Sequence, residues 1–277
     1  KELTKQTARR DTAQGDFDTA FAAARDRTDE TTAQKAVAEQ RKCGVKQDAA
    51  AQIEKELKAD NVHFPTSRLV SLENTCNKAG GTVYDISAIK EIQNLTKVHK
   101  LKLHLDGARI FNATVAAGYS PKEIGNCFDT ISICLSKGLG APVGSVLVGS
   151  KKFIHAARRV RKRFGGGMRQ AGYLAAAGIY ALDNNVERLA KDHSKAKLLG
   201  QAFSQLSFVS DVTPVETNIV MVHFNDQETK DKVLEQLTAN GIHALTLTET
   251  SIRLVTHLDI TDEQFEYALS KIKILNA

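Results

Sequence analysis

The chain has 277 residues, 42% of them hydrophobic and 25% charged, with a formal net charge of +6. These are globular values, so a disordered or fibrous chain is excluded, and the length suits one large domain with an appendage or two modest ones. No stretch approaches the roughly 18 apolar residues of a membrane span, and the charged first thirty residues show no signal peptide.

Residues 1–60 hold acids and bases in balance, many Ala, Thr and Gln, and few large apolar residues. Such a stretch is expected to be helical or disordered, with too little apolar surface for a core. The texture changes near Arg68. RLVSLEN (68–74), LKLHLD (101–106), TISICL (130–135) and GSVLVGS (144–150) read as short, largely buried strands. ISAIKEIQNLTKVHK (86–100) reads as a helix starting after Asp85, with Ser87 as an alternative cap and Ile86, Ile89, Ile92, Leu95 and Val98 on one face. Strand, helix, strand at this spacing predicts right-handed βαβ units and a parallel sheet. Helices are predicted over 150–163 and 171–200. Beyond 205 come strands at 217–224, 242–248 and 251–257 and helices at 227–239 and 261–275, the pattern of a small α+β domain.

Two constellations carry chemistry. In LHLDGAR, Asp106 follows an apolar strand and precedes Gly107 and Arg109. Ligands of open α/β sheets bind beyond the strand C-termini, so an acid emerging there meets them. The same Asp also reads as a cap of the next helix, with Arg109 on its first turn. In ISICLSKGLGAPVGS, Ser136-Lys137 ends a second strand and glycines follow at 138, 140 and 144. A lysine at a desolvated, cation-rich site loses its proton readily and can form a Schiff base. It also reads as a lysine in a Gly-rich turn; a P-loop is absent. Taken together, the two are what a pyridoxal phosphate site needs. The lysine holds the aldehyde, and the aspartate keeps the ring nitrogen protonated so that the ring accepts electrons.

The runs HLDGARIFNA (104–113), FDTISICLSKGLGAPVGSVLVGS (128–150) and RRVRKRFGGGMRQAGYLAAAGIYAL (158–182) resemble the low-specificity L-threonine aldolases. LENTCNKAGG (72–81), ETNIV (216–220) and IRLVTHLDIT (252–261) fit the same family, in order, from about residue 50 to 277. The resemblance implies an α/β chain with the aminotransferase-like fold type I of pyridoxal phosphate enzymes. Its parts would be a divergent segment 1–50, a large cofactor-binding domain 51–205 and a small C-terminal α+β domain 206–277. It implies cleavage of the Cα–Cβ bond of L-threonine or L-allo-threonine, a small β-hydroxy amino acid, to glycine and acetaldehyde. The alternatives are a non-catalytic relative, or another fold type I reaction such as β-elimination, racemisation or transamination. Carried over, Lys137 is the Schiff-base lysine and Asp106 the partner of the pyridine nitrogen. Arg109 lies near the cofactor and the substrate carboxylate, and Arg253 grips that carboxylate. Arg169 reaches a phosphate, of its own site or a neighbour's. A homo-oligomer, dimer or tetramer, is implied because such sites form between subunits.

The family carries a long segment before the equivalent of LENT, with an S-D-T opening, a Gly-Thr loop cradling the cofactor phosphate and a histidine stacked on the ring. Here ARRDTAQGDFDTAF (8–21) only echoes that opening, no S-G-T-x-x-N loop occurs, and the first histidine is His63. The N-terminal part therefore reads as shortened, without phosphate cradle or stacking histidine. Arg158, Arg159, Arg161, Lys162 and Arg163 form a basic run without the aromatic interleaving of a nucleic-acid surface, so no nucleic-acid partner is expected. The eight histidines show no metal-ligand spacing. Cys43, Cys76, Cys127 and Cys134 form no C-x-x-C pair, which points to a reducing, cytoplasmic compartment.

Overall fold

The computed structural model describes residues 49–58 and 61–276. The expectations for residues 1–48, including the S-D-T echo, lie outside them. Helix α1 (Ala49–Glu56) sets Ile53 into the first core. Strand β1 (Leu69–Glu73), helix α2 (Ile86–Val98) and strand β2 (Lys102–Asp106) form the expected βαβ unit, with β1 and β2 parallel. Helices α3 (Ile110–Ala117) and α4 (Pro121–Gly125) lead to β3 (Thr130–Cys134), which is parallel to β2. Strand β4 (Ser145–Gly149) then runs antiparallel to β3, so the sheet, ordered β1-β2-β3-β4, is mixed rather than wholly parallel. The link Leu135–Gly144 is too short for the crossover of a dozen or more residues that a parallel return needs.

Alternation decides which side chains enter the core. On β2, Leu103 and Leu105 are buried while Lys102 and Asp106 are exposed. Ile89 and Ile92 of α2 cover them. Val98, expected on the same face, is 76% exposed as the last residue of the helix. Thr96 is buried instead, and its hydroxyl donates to the Gln93 carbonyl.

The chain continues through helices α5 (Lys151–Arg163), α6 (Gly172–Asn184) and α7 (Leu189–Ser204). The single helix predicted over 171–200 is therefore two. Asn185 ends α6, and its side-chain amide donates 2.8 Å to the Leu139 carbonyl.

The second sheet comprises β5 (Val209–Val212), β6 (Ile219–Phe224), β7 (Leu245–Thr248) and β8 (Ser251–Val255). It is antiparallel, in the order β5-β6-β8-β7, and joined by helix α8 (Gln227–Ala239). Strand β5 has no counterpart in the sequence reading, because its four residues show no alternation and none is buried. Val220, Val222, Ile252 and Leu254 face a second core with α7, α8 and the last helix, α9 (Asp262–Ile272). The opposite face carries Ile219, Met221 and Arg253, with Met221 and Arg253 in register. It packs on the loop that follows β1: a Cβ on Gly80 would meet Met221, and one on Gly81 would meet Thr217 and Ile219.

Gly107 sits where β2 leaves the sheet. Its N–H donates 2.8 Å to the Ser132 carbonyl, and a Cβ there would lie 2.9 Å from that same oxygen and 3.1 Å from Ile131. Gly107→Ala is expected to lower unfolding free energy by about 1–3 kcal/mol, the usual cost of overpacking, read from urea melts.

Candidate active site

The C-terminal ends of three parallel strands lie level. The Asn74 N–H donates 3.0 Å to the Asp106 carbonyl, and Gly107 repeats this toward Ser132. Glu73, Asp106 and Ser132 are thereby strand neighbours at one sheet edge. Asp106 is exposed there, and its Oδ1 accepts from the Ala108 N–H at 3.1 Å. It does not cap α3, whose N-cap is Arg109 without a side-chain bond. The carboxylate is held by an Asx-type turn instead.

Lys137 is exposed on the turn after β3. Its carbonyl accepts from Gly140 at 2.9 Å, and Ala141 donates back to Leu135 at 3.0 Å, so the backbone under the lysine is fixed. Asn185 braces the turn through Leu139. On its other side, Arg109, Asn112, Cys134 and Gly138 line one small depression. Asn112 Oδ1 lies 2.9 Å from His193 Nε2, both residues buried. An amide oxygen accepts, so His193 carries its proton on Nε2. Burial, with some help from the Lys197 charge, pushes its pKa down to about 4.

Arg109 is half-buried, and its pKa is lowered first by that burial and next by the charge of Arg253. Glu73, Cys134 and Asp106 act in the opposite direction. Arg253 projects from β8; its Nη1 donates 2.7 Å to Asn77 Oδ1, and its Nε is buried without a hydrogen-bond partner. Among the described residues neither arginine forms an ion pair with a carboxylate. Two neighbouring guanidiniums with unspent donors are receptive to an anion, above all a planar carboxylate.

Asp106, Arg109 and Arg253 are thus brought together, and Lys137 stands on the adjoining turn. Arg169 is exposed on the turn between α5 and α6, outside this cluster. Among the described residues no group of His, Cys, Asp and Glu could hold a metal ion, and no helix is long and apolar enough to cross a membrane.

The profile of the Beta-eliminating lyase family matches residues 16–227. The chain belongs to that family. Its curated relatives include several L-threonine aldolases. The low specificity L-threonine aldolase of Escherichia coli (strain K12) is 46% identical over 208 residues, 75% of this chain and 60% of that protein. The probable low-specificity L-threonine aldolase 2 of Arabidopsis thaliana is 45% identical over 213 residues, 76% of this chain and 60% of that protein. The chain therefore spans about 60% of the length of these relatives. Among solved structures, the threonine aldolase of Leishmania major matches with a TM-score of 0.69 at 21% identity, over 81% of this chain and 66% of that one. A serine palmitoyltransferase from S. paucimobilis, solved with bound PLP, matches with a TM-score of 0.62 at 17% identity, over 82% and 58%. The fold of this beta-eliminating lyase family member is the fold type I of pyridoxal phosphate enzymes.

Three polar residues of this lyase-family site were not singled out by sequence: Glu73, Asn77 and Asn112. Glu73 and Asn77 both sit in LENTCNKAGG, where Glu73 ends β1 and Asn77 lies four residues on. The rule that drew attention to Asp106, a polar residue leaving a buried strand at its C-terminal end, applies equally to Glu73. Asn112 lies inside an apolar helix, where a buried amide is a signal in itself.

A neutral buried His193 predicts a pH dependence of stability. The unfolded chain protonates this ring near 6.5, whereas the folded one resists protonation to about 4. Stability is therefore fully present above 6.5 and falls as pH drops through that window, because the unfolded state binds more protons. Chemical melts across this range should show the loss, and it should shrink in His193→Gln.

Proposed function

We propose that the chain is a pyridoxal phosphate-dependent lyase that cleaves the Cα–Cβ bond of L-threonine or L-allo-threonine to glycine and acetaldehyde. The observation that carries this reading is the pair Arg109 and Arg253 beside Asp106, unspent cations at the strand edge where α/β folds bind ligands. The threonine aldolase relatives and the PLP-bound structural neighbour support it.

The residues present fit the cofactor. An amine on a braced turn, a carboxylate at a strand end and arginines with free donors are its donor set, and the buried Arg253 Nε is an orphan that a carboxylate would satisfy. Lys137 would hold the aldehyde, Asp106 would face the pyridine nitrogen and keep it protonated, and Arg169, outside the cluster of its own chain, would serve the phosphate in a neighbouring copy's site. Bound PLP supplies an electron sink for the pair released at Cα. Arg253 and Arg109 bind and orient the amino-acid carboxylate, which fixes the bond presented for cleavage. The Asx turn at Ala108 keeps the Asp106 carboxylate at its post, and the bonded turn under Lys137 limits the reach of the amine.

In this reading residues 51–205 are the cofactor-binding part and 206–277 the small part. Helix α7 joins them, since Ala196, Leu199 and Phe203 lie in the second core while His193 reaches α3. Cys76 and Cys127 are buried and form no disulfide among the described residues, which suits a reducing compartment, the cytoplasm.

The 277-residue protein mixed with PLP should gain a visible absorbance band and release acetaldehyde and glycine from threonine. Lys137→Ala should lose the band and reduce release to the uncatalysed background. Release of ammonia and an oxo acid instead of acetaldehyde would move the reaction to β-elimination.

The site is also completed by a second copy of the chain. Helix α6 is apolar, GYLAAAGIYALDN, yet Tyr173 is 91% and Tyr180 66% exposed, and Arg169 stands at its start. Sedimentation should show a dimer or larger species, shifted toward monomer by Tyr173→Glu together with Tyr180→Glu.

A further inference from the structure

We propose that Asn77 is a positioning residue for Arg253: an uncharged clamp that fixes the guanidinium and leaves its full charge for the substrate carboxylate. This rests on the reading of Arg253 as the carboxylate-binding residue.

The geometry starts from the short bond between Arg253 Nη1 and Asn77 Oδ1, 2.7 Å, which joins the second sheet to the loop after β1. A guanidinium carries five N–H donors in a rigid plane, so anchoring one nitrogen sets the direction of the others. The Nε next along that plane is buried and has no partner. Asn77 is itself held before any ligand arrives. Its N–H donates to Glu73 Oε1 at 3.3 Å, and its carbonyl accepts from Gly80 at 3.3 Å. The same loop is fastened to the second sheet: Thr217 donates its hydroxyl to the Gly81 carbonyl at 2.7 Å, and the Val83 N–H donates to Glu216 Oε2 at 2.9 Å. Gly81 has φ +78°, and a Cβ there would collide with the Thr217 hydroxyl, so the fastening is specific to glycine.

The chemical type of the clamp matters. Arg109 and Arg253 lie close enough for the charge of one to lower the pKa of the other. Left alone, Arg253 would swing away from that repulsion. A carboxylate at position 77 would hold it, but as an ion pair, and would cancel the charge that attracts a substrate. An amide oxygen holds the guanidinium without neutralising it. Isosteric Asn77→Asp therefore keeps the acceptor and should damage anion binding more than Asn77→Ala, the reverse of the order expected for a residue that only supports the loop.

The test is calorimetric titration of the PLP-loaded 277-residue protein with glycine, and with methylamine as the analogue lacking the carboxylate. Wild type should prefer glycine. Asn77→Ala should weaken glycine by about tenfold and Asn77→Asp by about a hundredfold or more, with methylamine little changed. With threonine, the same order should appear in KM rather than kcat. Melting curves check that each variant is folded at the titration temperature, and a second background removes dependence on any one variant. In Arg253→Met, adding Asn77→Asp should leave glycine binding unchanged. Equal glycine affinity in wild type and Asn77→Asp, or a further loss in the Arg253→Met background, would overturn the clamp while leaving the lyase reading intact. A wild-type protein that binds glycine no better than methylamine would overturn the reading of Arg253 itself, and the clamp with it.

Discussion

The parallel pairing of β1, β2 and β3 is the constraint on which the site depends. Parallel strands bring all their C-terminal ends to one edge, and here two backbone bonds beyond the strands, Asn74 to Asp106 and Gly107 to Ser132, keep those ends level. Glu73, Asp106 and the turn bearing Lys137 thus leave the sheet side by side. The close approach at Gly107 excludes a side chain, so the step that delivers Asp106 is rigid. The antiparallel return of β4 keeps the Lys137 turn short and lets Asn185 and Asn112 reach it.

The second requirement is charge brought from elsewhere. Arg253 comes from a different sheet, on the face opposite its own core, and reaches Asn77 across the docking surface. Hydrogen bonds cross between the two parts: Thr217 to Gly81, Val83 to Glu216, Thr256 to the Asp192 carbonyl and His193 to Asn112. Directional bonds of this kind set an angle between two units that apolar packing alone would leave loose. They hold two like-charged guanidiniums near one another, an arrangement that costs free energy until an anion shares them.

Much of this was legible in residue order. The βαβ unit followed from Ile89, Ile92, Leu103 and Leu105, because burial of one face imposes a period on the chain. Asp106 and Lys137 were visible because each ends an apolar strand. Less visible were features whose cause is distant in sequence. The break between α6 and α7 falls at Asn185, whose side chain reaches Leu139 across 46 positions. Strand β5 exists because β6 offers it an edge, and nothing in VSDV alternates. Asn77 meets Arg253 from 176 positions away.

By itself, then, the sequence determined most of the elements, the sheet edge and the residue types able to hold an aldehyde, a ring nitrogen and a carboxylate. These follow from local physics: the periods of strand and helix, and the chemistry of each side chain. The direction of β4, the pairing of Arg109 with Arg253 and the neutral state of His193 were decided by the tertiary structure alone. Each is set by groups that share space without sharing sequence, and the energies of desolvation and of charge on charge are defined only when those groups have been brought together.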